Sequence, residues 1–156
     1  MLTRYFINNE TYAFHSNFDS CGDENSKVIE KERKIKVRKS PLKIVQDSYK
    51  HIGSDYNGAV RGARAILNRR NHIPVVYSGP AEIVLIQFPT TDHLGKIWIV
   101  NKYIDDVKPM EEDSTLIQMV NGHTIEIGLR FQLVHDRRME ATFLQTIALQ
   151  RHSIIL

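Results

Sequence analysis

The sequence is poor in residues that build cross-linked or metal-held scaffolds. Cys21 is the one cysteine in 156 residues, so neither an internal disulfide nor a cysteine-rich metal cage is available. Long apolar runs are missing too. The longest, such as Ile83–Ile86 and Ile97–Val100, have strand length, far below the roughly 18 to 20 residues of a membrane span. The start, Met1-Leu2-Thr3-Arg4-Tyr5, lacks a charged segment leading into an apolar stretch, so no signal peptide is expected. Histidines stand scattered at 15, 51, 72, 93, 123, 135 and 152, with no HxxxH or HExxH pair to place two ligands on one helix face. Neither GxxxxGK[ST] nor GxGxxG occurs. Asp105-Asp106 and Glu111-Glu112-Asp113 fall in predicted loops and read as surface acids. Cys21 has Asp23 nearby, the wrong sign for a reactive thiolate. The expectation is a cytoplasmic protein with no membrane partner, no metal, no cofactor and no catalytic residues. It is not expected to be an enzyme.

What the chain has is charge in one place. Residues 27–72 hold 13 Lys or Arg against four Asp or Glu, a net +9. Residues 1–26 and 73–156 each carry a net −3, so the whole chain is only +3. A polyanion gains most from cations concentrated on one surface, which makes the block a candidate nucleic-acid footprint. The plainer alternative is a solvated face that keeps the protein soluble.

At this length one domain with one substantial core is expected over 1–156. Thr11–Phe14 predicts a short strand, followed by a polar loop at Ser16–Ser26. Lys34-Ile35-Lys36-Val37-Arg38 alternates strictly, predicting a half-buried strand with Ile35 and Val37 inward and three cations outward. Ser40-Pro41 opens a helix as N-cap and first helical residue. Its apolar stripe is Leu42, Val45, Tyr49 and Ile52, and Gly53 stops it. A second helix is predicted from Gly58 to Asn68, with Val60, Ala63 and Leu67 inward. Its other stripe is Arg61, Arg64 and Asn68, continued by Arg69 and Arg70. Gly58 and Gly62 each weaken it by up to about 1 kcal/mol.

Downstream, Ile73–Tyr77, Glu82–Phe88 and Lys96–Ile104 read as strands bounded by turn residues. Thr115–Met119 and Thr124–Leu129 form a hairpin around Asn121-Gly122. A three-residue loop of Asn121, Gly122 and His123 would set Met119 against Ile125 and Ile117 against Ile127, keeping the faces unmixed. Met139, Phe143 and Ile147, with Leu144 and Ala148, predict an amphipathic helix from about Asp136 to His152. The fold class is therefore α+β, a mostly antiparallel sheet with two central helices and a C-terminal amphipathic helix.

Several short stretches, taken in order, resemble the ComK competence-factor family. They are Ser26-Lys27-Val28-Ile29-Glu30-Lys31, then Pro41-Leu42-Lys43-Ile44-Val45 with Ser48, then Gly53 and Tyr56-x-Gly58-x-x-x-Gly62. Pro74-Val75-Val76, Phe88-Pro89-Thr90, Trp98 and Asn121-Gly122-x-Thr124-x-Glu126 follow. The resemblance runs from about residue 12 to 144, and its weight lies in collinearity, since each motif alone is weak. It implies a cytoplasmic, nucleoid-associated activator of DNA-uptake genes. Such a protein binds paired A/T-rich promoter boxes, largely from the minor groove, as dimers that pair into tetramers. It also implies control by an adaptor that delivers the protein to a Clp-type protease. The chain departs from the pattern at Ala59, where relatives often carry a basic residue, at His72, where a lysine is expected, and at Ala141, where an arginine is common. Well-studied members run on past the position of Ile154-Ile155-Leu156, so activation or proteolytic control is expected to differ. A divergent, non-activating paralogue that modulates a full-length activator is the alternative.

Two sets of cations are candidates for DNA contact. One is the strand face Lys34, Lys36, Arg38 and Lys39. The other is the Arg61, Arg64, Arg69 and Arg70 stripe, favoured as groove-reading because guanidinium is weakly hydrated and Gly58 and Gly62 allow close approach to phosphate. Lys43 and Lys50 on the preceding helix would hold phosphates, fixing position without specifying sequence. The adjacent helices leave a second mechanism open, a helix-turn-helix with residues 58–70 in the major groove. A protein-interaction module using the helix that ends in Ile154, Ile155 and Leu156 is the rival class.

Overall fold

The computed structural model describes residues 1–155, with side chains through Arg151. A six-stranded antiparallel sheet lies at the centre, in the order β3-β2-β1-β6-β5-β4. Its strands are β1 (Thr11–Phe18), β2 (Glu24–Glu30), β3 (Lys34–Val37), β4 (Val75–Ser78), β5 (Ile83–Pro89) and β6 (Lys96–Val100). Two helices, α1 (Pro41–His51) and α2 (Tyr56–Leu67), cover one face. The other face carries a second sheet of β7 (Ile104–Pro109), β8 (Thr115–Met119) and β9 (Thr124–Ile127), together with α3 (Phe131–Ile155). The expected α+β class with mostly antiparallel sheet is what the chain adopts.

Burial on both faces explains why the central strands are apolar without a break. Along β6, Ile97 and Ile99 join the core under the small sheet, while Trp98 and Val100 join the core under α1. Along β5, Val84 and Ile86 point one way and Ile83 and Leu85 the other. A half-buried sheet would alternate apolar with polar, and a doubly covered one does not. Each large side chain buried this way contributes roughly 1.5 to 3 kcal/mol.

The α1 boundary is set by local chemistry. Ser40 Oγ accepts the Lys43 amide at 3.2 Å, Pro41 occupies the first turn, and Gly53 ends the helix at φ +72°. The inward face, however, is Pro41, Ile44, Val45, Ser48 and Tyr49, and Leu42 and Ile52 are exposed. Ser48 is buried because it is satisfied: its hydroxyl accepts the Ile7 amide at 3.0 Å and its carbonyl accepts the Tyr77 hydroxyl at 3.1 Å. This polar partner turns the helix away from the purely apolar stripe.

The second helix begins two residues earlier than predicted, because Asp55 caps it through the amides of Asn57 and Gly58. It ends where Asn68 adopts a left-handed φ of +51°. The β8–β9 loop comprises Val120, Asn121 and Gly122, one residue before the expected position, so Ile117 faces Ile125 and Gln118 faces Thr124. The Gly122 amide bonds to the Met119 carbonyl at 2.9 Å, and Gly122 at φ +87° supplies the left-handed residue that ends a three-residue hairpin loop. The shift is two in register, so the faces remain unmixed. The C-terminal helix starts at Phe131, ahead of Asp136. Val134, Ala141 and Leu144 are its buried residues, and Met139 and Phe143 are exposed. The expected Ile154 and Ile155 side-chain surface, and Leu156, lie outside the described residues.

Candidate nucleic-acid interface

The basic block divides. On the helical layer, Lys43 and Lys50 of α1 and Arg61 and Arg64 of α2 are exposed on the outward side, and Arg70 follows in the loop after α2. Arg64 is held extended across that loop by Nε donating to the Arg70 carbonyl at 3.0 Å, which brings the two residues together. Arg61 lies 3.9 Å from Asp55, with both side chains largely in solvent, so the pair restrains it little.

Lys34, Lys36 and Arg38 do not join this surface. Ile35 and Val37 pack into the α1-side core, so strand alternation sends Lys34 and Lys36 to the reverse face, with Arg38 exposed just beyond. There the pairing aligns His15, Lys27 and Lys36 in a row across β1, β2 and β3. Lys34 lies close to the small sheet's hairpin, where burial first, and then the charge of Lys34, lowers the His123 pKa. The strand β3 is one edge of the sheet and β4, which α2 covers, is the other. Five inter-strand spacings separate them, about 24 Å. The expected convergence of all cations from 27 to 72 on one side therefore fails, because a strand places alternate side chains on opposite faces.

Lys39 lies between the two groups and is engaged. Its ammonium donates to Asp47 Oδ2 at 2.6 Å, and Lys43 Nζ lies 3.2 Å from Oδ1. The Lys39 hydrogen bond holds the Asp47 carboxyl below the usual range, against the opposing effect of burial, and Lys43 adds to it. One carboxylate thus partly cancels two candidate cations.

Arg69 diverges from the α2 stripe. The left-handed turn at Asn68 redirects it, and its guanidinium donates to the carbonyls of Asn71 (2.8 Å) and His72 (3.1 Å) and pairs with Glu140 of α3 at 2.8 Å. The sequence reading missed Arg4 and His51, which line a shallow hollow with Lys39, Asp47 and Lys50. Phe6 organises that hollow: its ring stacks on His51 at 3.9 Å and receives Arg4 at 5.4 Å. It also missed Lys96 and Arg137, which meet His72 in a cleft. These residues are far apart in sequence, and no local pattern marks them.

The opposite layer has the opposite sign. Residues 104–127, the small sheet and its loops, hold six Asp or Glu against one Lys. Glu111, Glu112, Asp113 and Glu126 line one broad hollow there with Arg130. The helical layer is therefore basic and the small sheet acidic, while Lys27, Lys34 and Lys36 beside that sheet, and Arg130, Arg137 and Arg138 at the start of α3, leave the face as a whole mixed in charge. Among the described residues no group of three His, Cys, Asp or Glu side chains is placed to hold a metal ion, and no helix is long and apolar enough to cross a membrane.

Comparison with known proteins gives the family. The sequence model of the ComK protein family matches residues 2–153. A competence transcription factor of Bacillus subtilis (strain 168) is 27% identical over 147 residues, covering 93% of this chain and 75% of that protein. No solved structure matches.

Proposed function

The chain belongs to the ComK family, and on that premise we propose that it is a transcription regulator of competence genes, not an enzyme, that grips duplex DNA with its helical layer. The observation that carries this reading is the set of exposed cations on α1 and α2, which lie on the face away from the acids of β7–β9. Arg61, Arg64 and Arg70 are the groove-reading candidates, and Lys43 and Lys50 the phosphate-holding ones. A narrow A/T-rich minor groove has enhanced negative potential, and an arginine entering it reads groove shape. Lys34, Lys36 and Arg38 face away and take no part in the same contact, and Lys39 acts mainly to hold Asp47.

Regulation of promoters in this way places the protein in the cytoplasm, at the nucleoid. Paired boxes call for self-association as a dimer or tetramer, and a Clp-type protease adaptor is the proposed controlling partner. The first test is a mobility-shift assay on A/T-box DNA against mixed-sequence DNA. Specific retardation supports the regulator, and none refutes it. A minor-groove dye that blocks binding, while methylation of major-groove positions does not, would eliminate the helix-turn-helix mechanism.

A second reading has its own observation. Met139 and Phe143 are one helical turn apart on α3 and both exposed. They would suit a non-activating relative that modulates a full-length activator, which would associate with that activator and retard no DNA.

A further inference from the structure

The cleft that receives Arg69 has no role in the reading above. Strand β4 pairs only with the 83–85 half of β5, leaving Gln87–Pro89 beyond its end. The loop after α2, the start of β6 and the first turns of α3 close around that gap. They form a cleft of about 540 Å³ whose charged and titratable lining is Arg69, His72, His93, Lys96, Asp136 and Arg137.

Both guanidiniums are positioned in advance. Arg137 donates to the Gln87 carbonyl at 3.3 Å and lies over the Phe88 ring at 5.9 Å. Arg69 is fixed by two carbonyls and by Glu140. The acids do not balance the rest. Asp136 accepts the Gln132 amide at 2.9 Å. Among the described residues neither Arg137 nor Lys96 has a carboxylate within ion-pair distance. Their fields are felt locally: Arg137 first, then burial, Lys96 and Arg69 hold the His72 pKa below its ordinary value. Burial, and then Arg69, likewise lowers that of Arg137, with Glu140 partly opposing them.

Gathering like charges in a half-closed cleft is unfavourable unless an anion completes it. A phosphoryl group suits the geometry. Guanidinium offers a planar fork to two phosphate oxygens, and the compact ammonium of Lys96 and the imidazole of His72 can meet a third. Arg137, anchored through Nη1 alone, keeps its Nε and Nη2 hydrogens to donate, and Arg69, engaged through Nη2 and Nη1, keeps Nε.

We propose that the cleft between the α2 exit loop, the start of β6 and α3 is a phosphoryl-binding site built from Arg69, His72, Lys96 and Arg137. The group is either a backbone phosphate of bound duplex or a free phosphate. The first source rests on the DNA reading above, and the second does not. In the first case the site is a phosphate clamp at the end of the helical layer, fixing how far α2 can slide along the groove.

The test uses the full chain and two probes. Inorganic phosphate is titrated while the His72 imidazole resonance is followed by NMR, and an A/T-box duplex is titrated in a mobility-shift assay. Each is repeated with Arg137→Gln and with Lys96→Gln, the latter at an exposed position. Phosphate should move the His72 signal saturably in the parent and at least about tenfold more weakly in both variants. For a backbone phosphate, both variants should also weaken duplex binding about tenfold, equally on all sequences, and lower the salt slope by about 1. For a free phosphate, duplex binding by the variants should equal the parent's. If phosphate leaves His72 unmoved and both variants bind duplex like the parent, the proposal is overturned. If the parent binds no duplex but phosphate moves His72, the site stands and the DNA reading falls.

Discussion

The helical layer and the small sheet cover opposite faces of the central sheet and carry opposite charge. Ile44, Val45 and Tyr49 on one side, and Ile117, Met119 and Ile127 on the other, are all almost fully buried. Yet residues 41–70 carry six Lys or Arg against two acids, while residues 104–127 carry six acids against one lysine. Packing alone would tolerate either sign on either outer surface, because solvated charges cost little. The segregation therefore concerns what the surfaces meet. If the helical layer meets DNA as proposed, this segregation would orient it in the field of the polyanion before contact and raise the encounter rate.

The strongest way to challenge that equivalence of packing is to hollow each core in turn. Ile44→Ala and Leu144→Ala should each cost about 3 kcal/mol, read from urea midpoints at constant slope. A loss under about 1 kcal/mol for Ile44→Ala would mean the helical layer is only loosely attached. The charge asymmetry is tested next. Arg61→Glu with Arg64→Glu should lower affinity for A/T-box DNA by about 100-fold or more, since two attractions become repulsions. Asp105→Lys with Asp106→Lys, a charge change of the same size and opposite sign on the acidic small sheet, should not weaken binding. Comparable losses from both pairs would dissolve the distinction.

A smaller effect probes the sheet that both layers share. Buried Glu30 accepts the Tyr5 hydroxyl and the Arg33 Nε, each at 2.6 Å. Burial opposes its ionisation, but these hydrogen bonds prevail and the carboxyl sits below its ordinary pKa. A depressed folded-state pKa stabilises above the unfolded glutamate value, and the gain is lost as pH falls through the folded one. Glu30→Gln should therefore cost about 1 to 2 kcal/mol at neutral pH, and denaturant midpoints should show the gap closing below the ordinary glutamate range. The smallest effect separates the two lysine sets. Lys43→Gln should lower the salt slope of DNA binding by about 1, and Lys36→Gln should leave it unchanged.

These expectations show how far the chain could be read in advance. The class, the Ser40-Pro41 helix start and the alternation of β3 were legible because each depends on neighbours within a few residues. The outward cations of α1 and α2 were legible for the same reason. The split of the basic block followed from that same β3 alternation, but which core Ile35 and Val37 would join depends on strand order, which no local pattern states. Leu42 and Ile52 misled because a buried serine, satisfied by Ile7 and Tyr77, outweighs an apolar stripe. The cleft was invisible because Arg69, Lys96 and Arg137 come from three separate elements. The left-handed turn at Asn68, with the Asn71 and His72 carbonyls and Glu140, sets the first of them toward the other two.

The measurement that bears most directly on the account is amide hydrogen exchange of the full chain with and without an A/T-box duplex. Slowed exchange concentrated in residues 41–70, with residues 34–38 and 104–127 unaffected, is the expected pattern. Slowing centred on β3 or on the small sheet, with α1 and α2 unchanged, would show that the duplex sits on the other side and that the basic helical layer is only a solvated surface.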